Sequence, residues 1–318
     1  MSYQYSVYGL NITSDLELPE LVAVEWTTAD VEITIGPVPE RLIGAKSVGE
    51  WAEYADGPVC LMRIPDVGRF LVESGRTIVV QPCGPDDSSS RVAASAADVR
   101  LYLLGSALAA ILHQRGLLPL HVSAVLSEGG ALAFTGPSGA GKSTMAGFLS
   151  QKMGLPLISD DVSVVSLANN MASLHSGPRK LKLWADAVDF LDLGNRQLAQ
   201  DLSNTPKFQL YLPDKVAASA FPLRAVVFLE RVAQGQAAEL VPISGIDRFR
   251  ACCQAVYRPY MAPWFRSKAD YVRDVFNLAE SIEMYKLRRP WALEQLDSPS
   301  SPLWQLFPSE VGREVISR

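Results

Sequence analysis

The residues best suited to chemistry form one short run, Gly136-Pro137-Ser138-Gly139-Ala140-Gly141-Lys142-Ser143-Thr144. It satisfies the pattern G-x-x-x-x-G-K-[ST]. Gly136, Gly139 and Gly141 let the backbone curl without side-chain clashes. The curl turns consecutive N–H groups inward and makes a nest for phosphate oxygens. A helix starting near Lys142 adds its positive end. Lys142 can reach the β- and γ-phosphates of a nucleoside triphosphate. The Ser143 hydroxyl is placed to ligate Mg²⁺, and Thr144 to contact the α-phosphate. An apolar run, Ala131–Thr135, precedes the loop, and a helical pattern, Met145–Lys152, follows it. That context argues against a chance glycine-rich turn.

A phosphate loop specifies a ligand and leaves the reaction open. The next feature is Ser159-Asp160-Asp161. One helix and a short return segment, Leu157-Ile158, fit the gap after Lys142 and would deliver both carboxylates to the phosphates. Neighbouring residues of an extended chain point to opposite sides. One carboxylate can then face Mg²⁺ while the other faces an incoming hydroxyl, which is the division phosphoryl transfer requires. Asp160 is assigned as the general base and Asp161 as the metal partner. His121 opens the strand before the loop hairpin and is a candidate to hold one of the two acids. Positive charge for the transferring group has candidates in Arg179, Lys180 and Lys182, in Lys207 and in Arg258. Arg288-Arg289 could attract an acidic peptide but reads first as a solvated face.

The elements that must position these groups divide the chain in three. Residues 1–87 read as a β-rich domain with strands over Tyr3–Tyr8, Val31–Ile35, Val59–Ile64, Arg69–Glu73 and Thr77–Gln81. Residues 88–119 read as a connecting segment with a long Ala- and Leu-rich helix, Arg91–Gln114, ended by Gly116 and Pro119. Residues 120–318 read as the loop-bearing α/β domain. Its strands are His121–Ser127, Ala131–Thr135, Leu157–Ile158, Val162–Leu167, Ala225–Leu229 and Glu239–Ile243. Further helices are expected over Ile246–Val256, Ala269–Glu283 and Leu303–Ile316.

Bulk properties narrow the class. The 318 residues are 48% apolar and carry a formal charge of −5, which argues against a general nucleic-acid binder. Cys60, Cys83, Cys252 and Cys253 have no metal-ligand spacing and read as reduced thiols. The apolar run Leu101–Leu112 is too short to span a bilayer and suits a buried helix. No signal-peptide pattern opens the chain. A cytoplasmic protein with no membrane partner is expected.

Three segments together resemble the HPr kinase/phosphorylase catalytic domain. They are Leu120-His121-Val122-Ser123-Ala124-Val125, the loop Gly136–Thr144, and Leu157-Ile158-Ser159-Asp160-Asp161-Val162. A weaker echo runs through Gly177–Trp184, and Tyr8-Gly9-Leu10 through Ser14–Pro19 is similar to the start of HPr-kinase-related proteins. Pro137 and Thr144 stand where HPr kinases carry acidic residues, and kinases that modify ribosomally made peptides, lasso peptides among them, look closer. The resemblance implies an α/β nucleotide-binding fold of the HPr kinase/PEP carboxykinase type. It implies an ATP- and Mg²⁺-dependent kinase acting on a serine of a peptide or small protein, with self-assembly a possibility. It also implies Asp160 as base, with Asp161 and His121 at the family's other two positions. A small-molecule hydroxyl kinase and a nucleotide-binding scaffold without transfer are the alternatives.

Overall fold

A computed structural model describes residues 2–86, 93–178, 180–194, 198–200, 207–211 and 220–307. The chain is mixed α/β, with large sheets and few long helices. It forms two compact units, one of residues 1–119 with 257–273 and the other of residues 120–256 with 274–318.

The first unit carries a nine-stranded sheet. Its order is Val22–Ala23, Tyr3–Val7, Leu10–Ser14, Val31–Ile35, Thr77–Pro82, Gly68–Glu73, Val59–Ile64, Ala52–Ala55 and Lys46–Val48. The alternation of apolar and polar residues produces this layer: in Gly68–Glu73 every second residue is buried. Of the long helix expected over Arg91–Gln114, residues 91 and 92 lie outside the described residues; the helix observed starts at Ala96, where the Ser95 side chain caps it by accepting from the Asp98 N–H. A π-helical stretch, Leu103–Ala107, interrupts it before Leu108–Gln114. Val99, Leu103, Leu108, Ile111 and Leu112 are buried, so this helix is part of the unit's own core. The chain also returns to this unit at 257–273, which the local sequence pattern does not signal.

In the second unit, sheet order runs Leu157–Ser159, Ser123–Ser127, Gly130–Thr135, Ala220–Arg231, Glu283–Arg289 and Glu239–Pro242. Gly130–Thr135 and Glu283–Arg289 lie parallel to Ala220–Arg231, one on each side. The strand leading into the loop is buried along its whole length, as expected of a central strand. At the start of Ala220–Arg231, an antiparallel pair, Ser163–Ala168 with Met171–His175, joins the same sheet. A small sheet of Lys180–Trp184, Lys207–Tyr211 and Leu198–Gln200 stands apart from it.

The helix after the loop, Lys142–Gln151, packs its buried Met145, Phe148 and Leu149 into the core with Phe134, Leu181 and Leu183. Gly147 in this helix permits close approach. A β-carbon there would stand 3.0 Å from Leu191 and 3.1 Å from Leu181. That contact sets the Lys180–Trp184 strand against the loop helix. The helix expected over Leu303–Ile316 is a short 3₁₀ turn, Pro302–Leu306, and its remainder from 308 onward lies outside the described residues.

Candidate active site

The strand Gly130–Thr135 ends at Gly136, and Lys142 starts the helix. Between them the backbone takes left-handed values, φ 143° at Gly136, 79° at Gly139 and 82° at Gly141, as an inward-facing amide nest requires. The Lys142 ammonium folds back over this loop and donates to the carbonyls of Gly136 at 3.0 Å and Pro137 at 3.2 Å. Across the loop, the Trp291 indole N–H donates to the Gly139 carbonyl at 3.1 Å. The loop is thus held at both ends of its curl.

The carboxylates arrive as the spacing suggests. Leu157–Ser159 pairs with Ser123–Ser127, the strand beside the loop strand. Asp160 is 2% exposed. Its Oδ1 accepts from the Ser123 hydroxyl and its Oδ2 from the Lys182 backbone N–H at 2.8 Å. The Ser143 hydroxyl lies close enough to lower the carboxyl slightly. Burial pushes the Asp160 carboxyl above the usual carboxylate range, and the negative Asp161 beside it acts the same way. The three donors oppose that shift without cancelling it. Asp161 differs in every respect. It sits at φ 82°, its side chain is 40% exposed, and its Oδ1 lies 3.8 Å from His121 Nδ1. His121 precedes the strand, which starts at Ser123. Its backbone is fixed on both sides: its N–H donates to Ala255 O at 2.7 Å, and Thr135 Oγ1 donates to its carbonyl at 2.9 Å.

These groups share a cleft of about 310 Å³ lined by His121, Ser123, Ser138, Gly139, Gly141, Lys142, Ser143, Thr144, Asp160, Asp161, Lys182, Trp184, Asp186, Arg289, Trp291 and Leu293. Pro137 and Ala140 line a second hollow, of about 810 Å³, on the other side of the loop. The Ser143 hydroxyl and the two carboxylates are hard oxygen donors of the kind Mg²⁺ prefers, and they fit that ion. Among the described residues no group of three His, Cys, Asp or Glu side chains could hold a metal. The protein would therefore supply part of a shell that phosphate oxygens and water complete, which is usual for Mg²⁺.

No protein-family model matches the chain, and no curated protein matches it. Among solved structures it is similar to the Hpr(Ser) kinase/phosphatase from Coxiella burnetii, at 11% identity. The match covers 63% of this chain and 99% of that one, with a TM-score of 0.30. So slight a likeness carries no argument, and the geometry of the loop and the two acids must carry the reading.

The expected cations divide. Lys182 lines the cleft, and its backbone also binds Asp160. Arg179 lies outside the described residues, as does the Lys207 side chain. Arg258 belongs to the first unit. There it stacks 5.2 Å over the Tyr257 ring and donates to Tyr260 at 2.8 Å. It is absent from the residues lining the cleft. Several residues of the cleft, Ser123, Trp291 and Arg289 among them, carry no local signal in the sequence. Ser123 stands in the segment Leu120–Val125, and only the strand pairing reveals its contact with Asp160. Arg289, read as part of a solvated face, is 6% exposed and lines the cleft.

Proposed function

We propose that the protein is a phosphotransferase that uses ATP and Mg²⁺ to phosphorylate a hydroxyl, in the first instance a serine of a peptide or small protein. The observation that carries this reading is the cleft that buried Asp160 shares with Lys142 and Ser143 of the phosphate loop. It joins a buried carboxylate to the first turn of a phosphate-loop helix, where the terminal phosphate and its metal would meet an acceptor. In the transfer, the acceptor oxygen forms a bond to the γ-phosphorus, and the bond from that phosphorus to the β–γ bridging oxygen breaks. The acceptor proton passes to a carboxylate, and ADP leaves. Asp160 suits that role because burial raises its proton affinity. Ser143 and Asp161 would hold Mg²⁺, which when bound neutralises charge on the β- and γ-phosphate oxygens. His121 steadies Asp161, and Lys142 and Lys182 supply cationic charge. The hollow of about 810 Å³ shares Ser138, Gly139 and Trp291 with the cleft and adds Glu230, Arg231 and Lys286.

One observation favours a second division of labour. Ser143, the expected metal ligand, is close enough to Asp160 to lower its carboxyl, whereas Asp161 is the more open acid and stands beside His121. In that reading Asp160 serves the metal and Asp161 accepts the proton. The test is γ-phosphate transfer from labelled ATP to candidate peptides, read by mass spectrometry, for Asp160→Asn and Asp161→Asn. With Asp160 as base, Asp160→Asn keeps nucleotide affinity and loses roughly 10²–10⁴-fold in rate, while Asp161→Asn needs more Mg²⁺. The opposite pattern assigns the roles the other way. Nucleotide binding without transfer to any acceptor would remove the kinase reading and leave a nucleotide-binding scaffold.

A further inference from the structure

The strand Glu283–Arg289 ends beside the phosphate loop with two adjacent arginines that face opposite ways. Arg288 ion-pairs with Glu230 at 3.0 Å and also with Glu239. Arg289 is buried, and among the described residues it forms no ion pair with a carboxylate. Its Nη1 has only long contacts, to the carbonyls of Pro290 at 3.3 Å and Ala292 at 3.4 Å. Its Nε is buried with no hydrogen-bond partner. The guanidinium lies 5.6 Å from the centre of the Trp291 ring, the same indole that binds Gly139. Its Nη2 reaches to 3.5 Å from where a β-carbon would stand on Gly141.

A buried, unpaired cation is costly, and proteins keep one where an anion will meet it. We propose that Arg289 is a second cationic ligand of the nucleotide's polyphosphate, entering the cleft over Gly141 and sharing the phosphate charge with Lys142. The planar fork of donors suits phosphate oxygens, and the Trp291 face holds the guanidinium in place. Burial pushes Arg289 down to about 10, and an anion in the cleft would offset that cost. The proposal rests on the loop being a nucleotide site and needs no transfer reaction.

The experiment is calorimetric titration of ATP, ADP, AMP and inorganic triphosphate into wild type, Arg289→Gln, Arg289→Lys and Arg288→Gln, with thermal melts of each. Loss of a charge-assisted phosphate contact should weaken ATP and triphosphate binding by roughly 10–100-fold. AMP should be nearly unaffected, Arg289→Lys should recover part of the loss, and Arg288→Gln should bind as wild type. Arg289→Gln should melt no lower than wild type, because it removes an uncompensated buried charge. Unchanged ATP and triphosphate affinity in Arg289→Gln overturns the proposal. So does a lowered melting temperature with AMP weakened equally, which marks a structural residue. Wild type that binds no nucleotide defeats the site reading itself, and phosphoryl transfer, measured separately, bears only on the kinase reading.

Discussion

The Ser123 hydroxyl donates to Asp160 Oδ1, so a neutral side chain on the strand beside the phosphate loop helps hold the buried acid in its charged form. Burial raises the Asp160 carboxyl, and this hydrogen bond lowers it. In Ser123→Ala the lowering contact is gone, so the carboxyl moves further up. If transfer needs ionised Asp160, the acid limb of the rate profile shifts to higher pH while nucleotide affinity holds. Stability moves with it. An acid whose folded value lies above its unfolded value favours the fold below the unfolded value and loses that contribution as pH rises. Ser123→Ala should therefore be destabilised by about 1–3 kcal/mol at neutral pH and recover toward acid. Urea melts across pH, beside the rate profile, measure both. A variant with wild-type behaviour in both would show that Ser123 does not tune the acid.

Gly136 is where the loop leaves its strand, and no other residue type fits there. Its φ is 143°, and a β-carbon would stand 2.8 Å from the Leu229 carbonyl oxygen on the neighbouring strand. Gly136→Ala should cost about 1–3 kcal/mol in backbone strain and abolish measurable ATP binding, because the amide nest loses its entry angle. Gly154→Ala is the control. Its φ of 73° disfavours alanine too, but nothing stands within 4 Å of the added carbon, and Gly154 is not among the residues lining the cleft. That variant should lose stability yet bind ATP normally. Intact ATP binding in Gly136→Ala would show that the loop does not need this curl.

What could be read in the sequence follows from how local the signals are. The loop, its flanking strand and helix, and the return to Asp160-Asp161 depend on residues close in sequence, and the structure brings them into one cleft. The strand Glu283–Arg289 gives no local signal, because Tyr285-Lys286-Leu287-Arg288-Arg289 is highly charged for a strand paired on both sides. Glu230 pairs with Lys286 and Arg288 and makes those charges tolerable at its end. Such pairings cross more than fifty positions and leave no local pattern. The same holds for Lys180–Trp184, whose backbone contributes the Lys182 N–H to Asp160. The two units were hidden for a related reason, since 257–273 rejoins the first unit by long-range packing.

His113 gives the first unit a dependence on pH. It lies near the end of the Leu108–Gln114 helix, 1% exposed. Its Nε2 stands 2.9 Å from the Tyr257 carbonyl, which can only accept, so Nε2 carries the proton. Burial is the main cause that pushes His113 down to about 4 from its ordinary 6.5, and nearby Arg266 adds to the effect. The hydrogen bond to Tyr257 opposes both. A base whose folded value is depressed stays neutral in the fold while the unfolded chain takes up a proton. Its contribution is whole above 6.5 and is lost as pH falls toward 4, about 3 kcal/mol in all. His113→Gln keeps an amide donor for Tyr257 and cannot be protonated. It should match wild type within about 1–2 kcal/mol at pH 7 and show a flatter decline in urea midpoint between pH 6.5 and 4. Parallel declines for the two proteins would mean that acid unfolding of this unit starts at other groups.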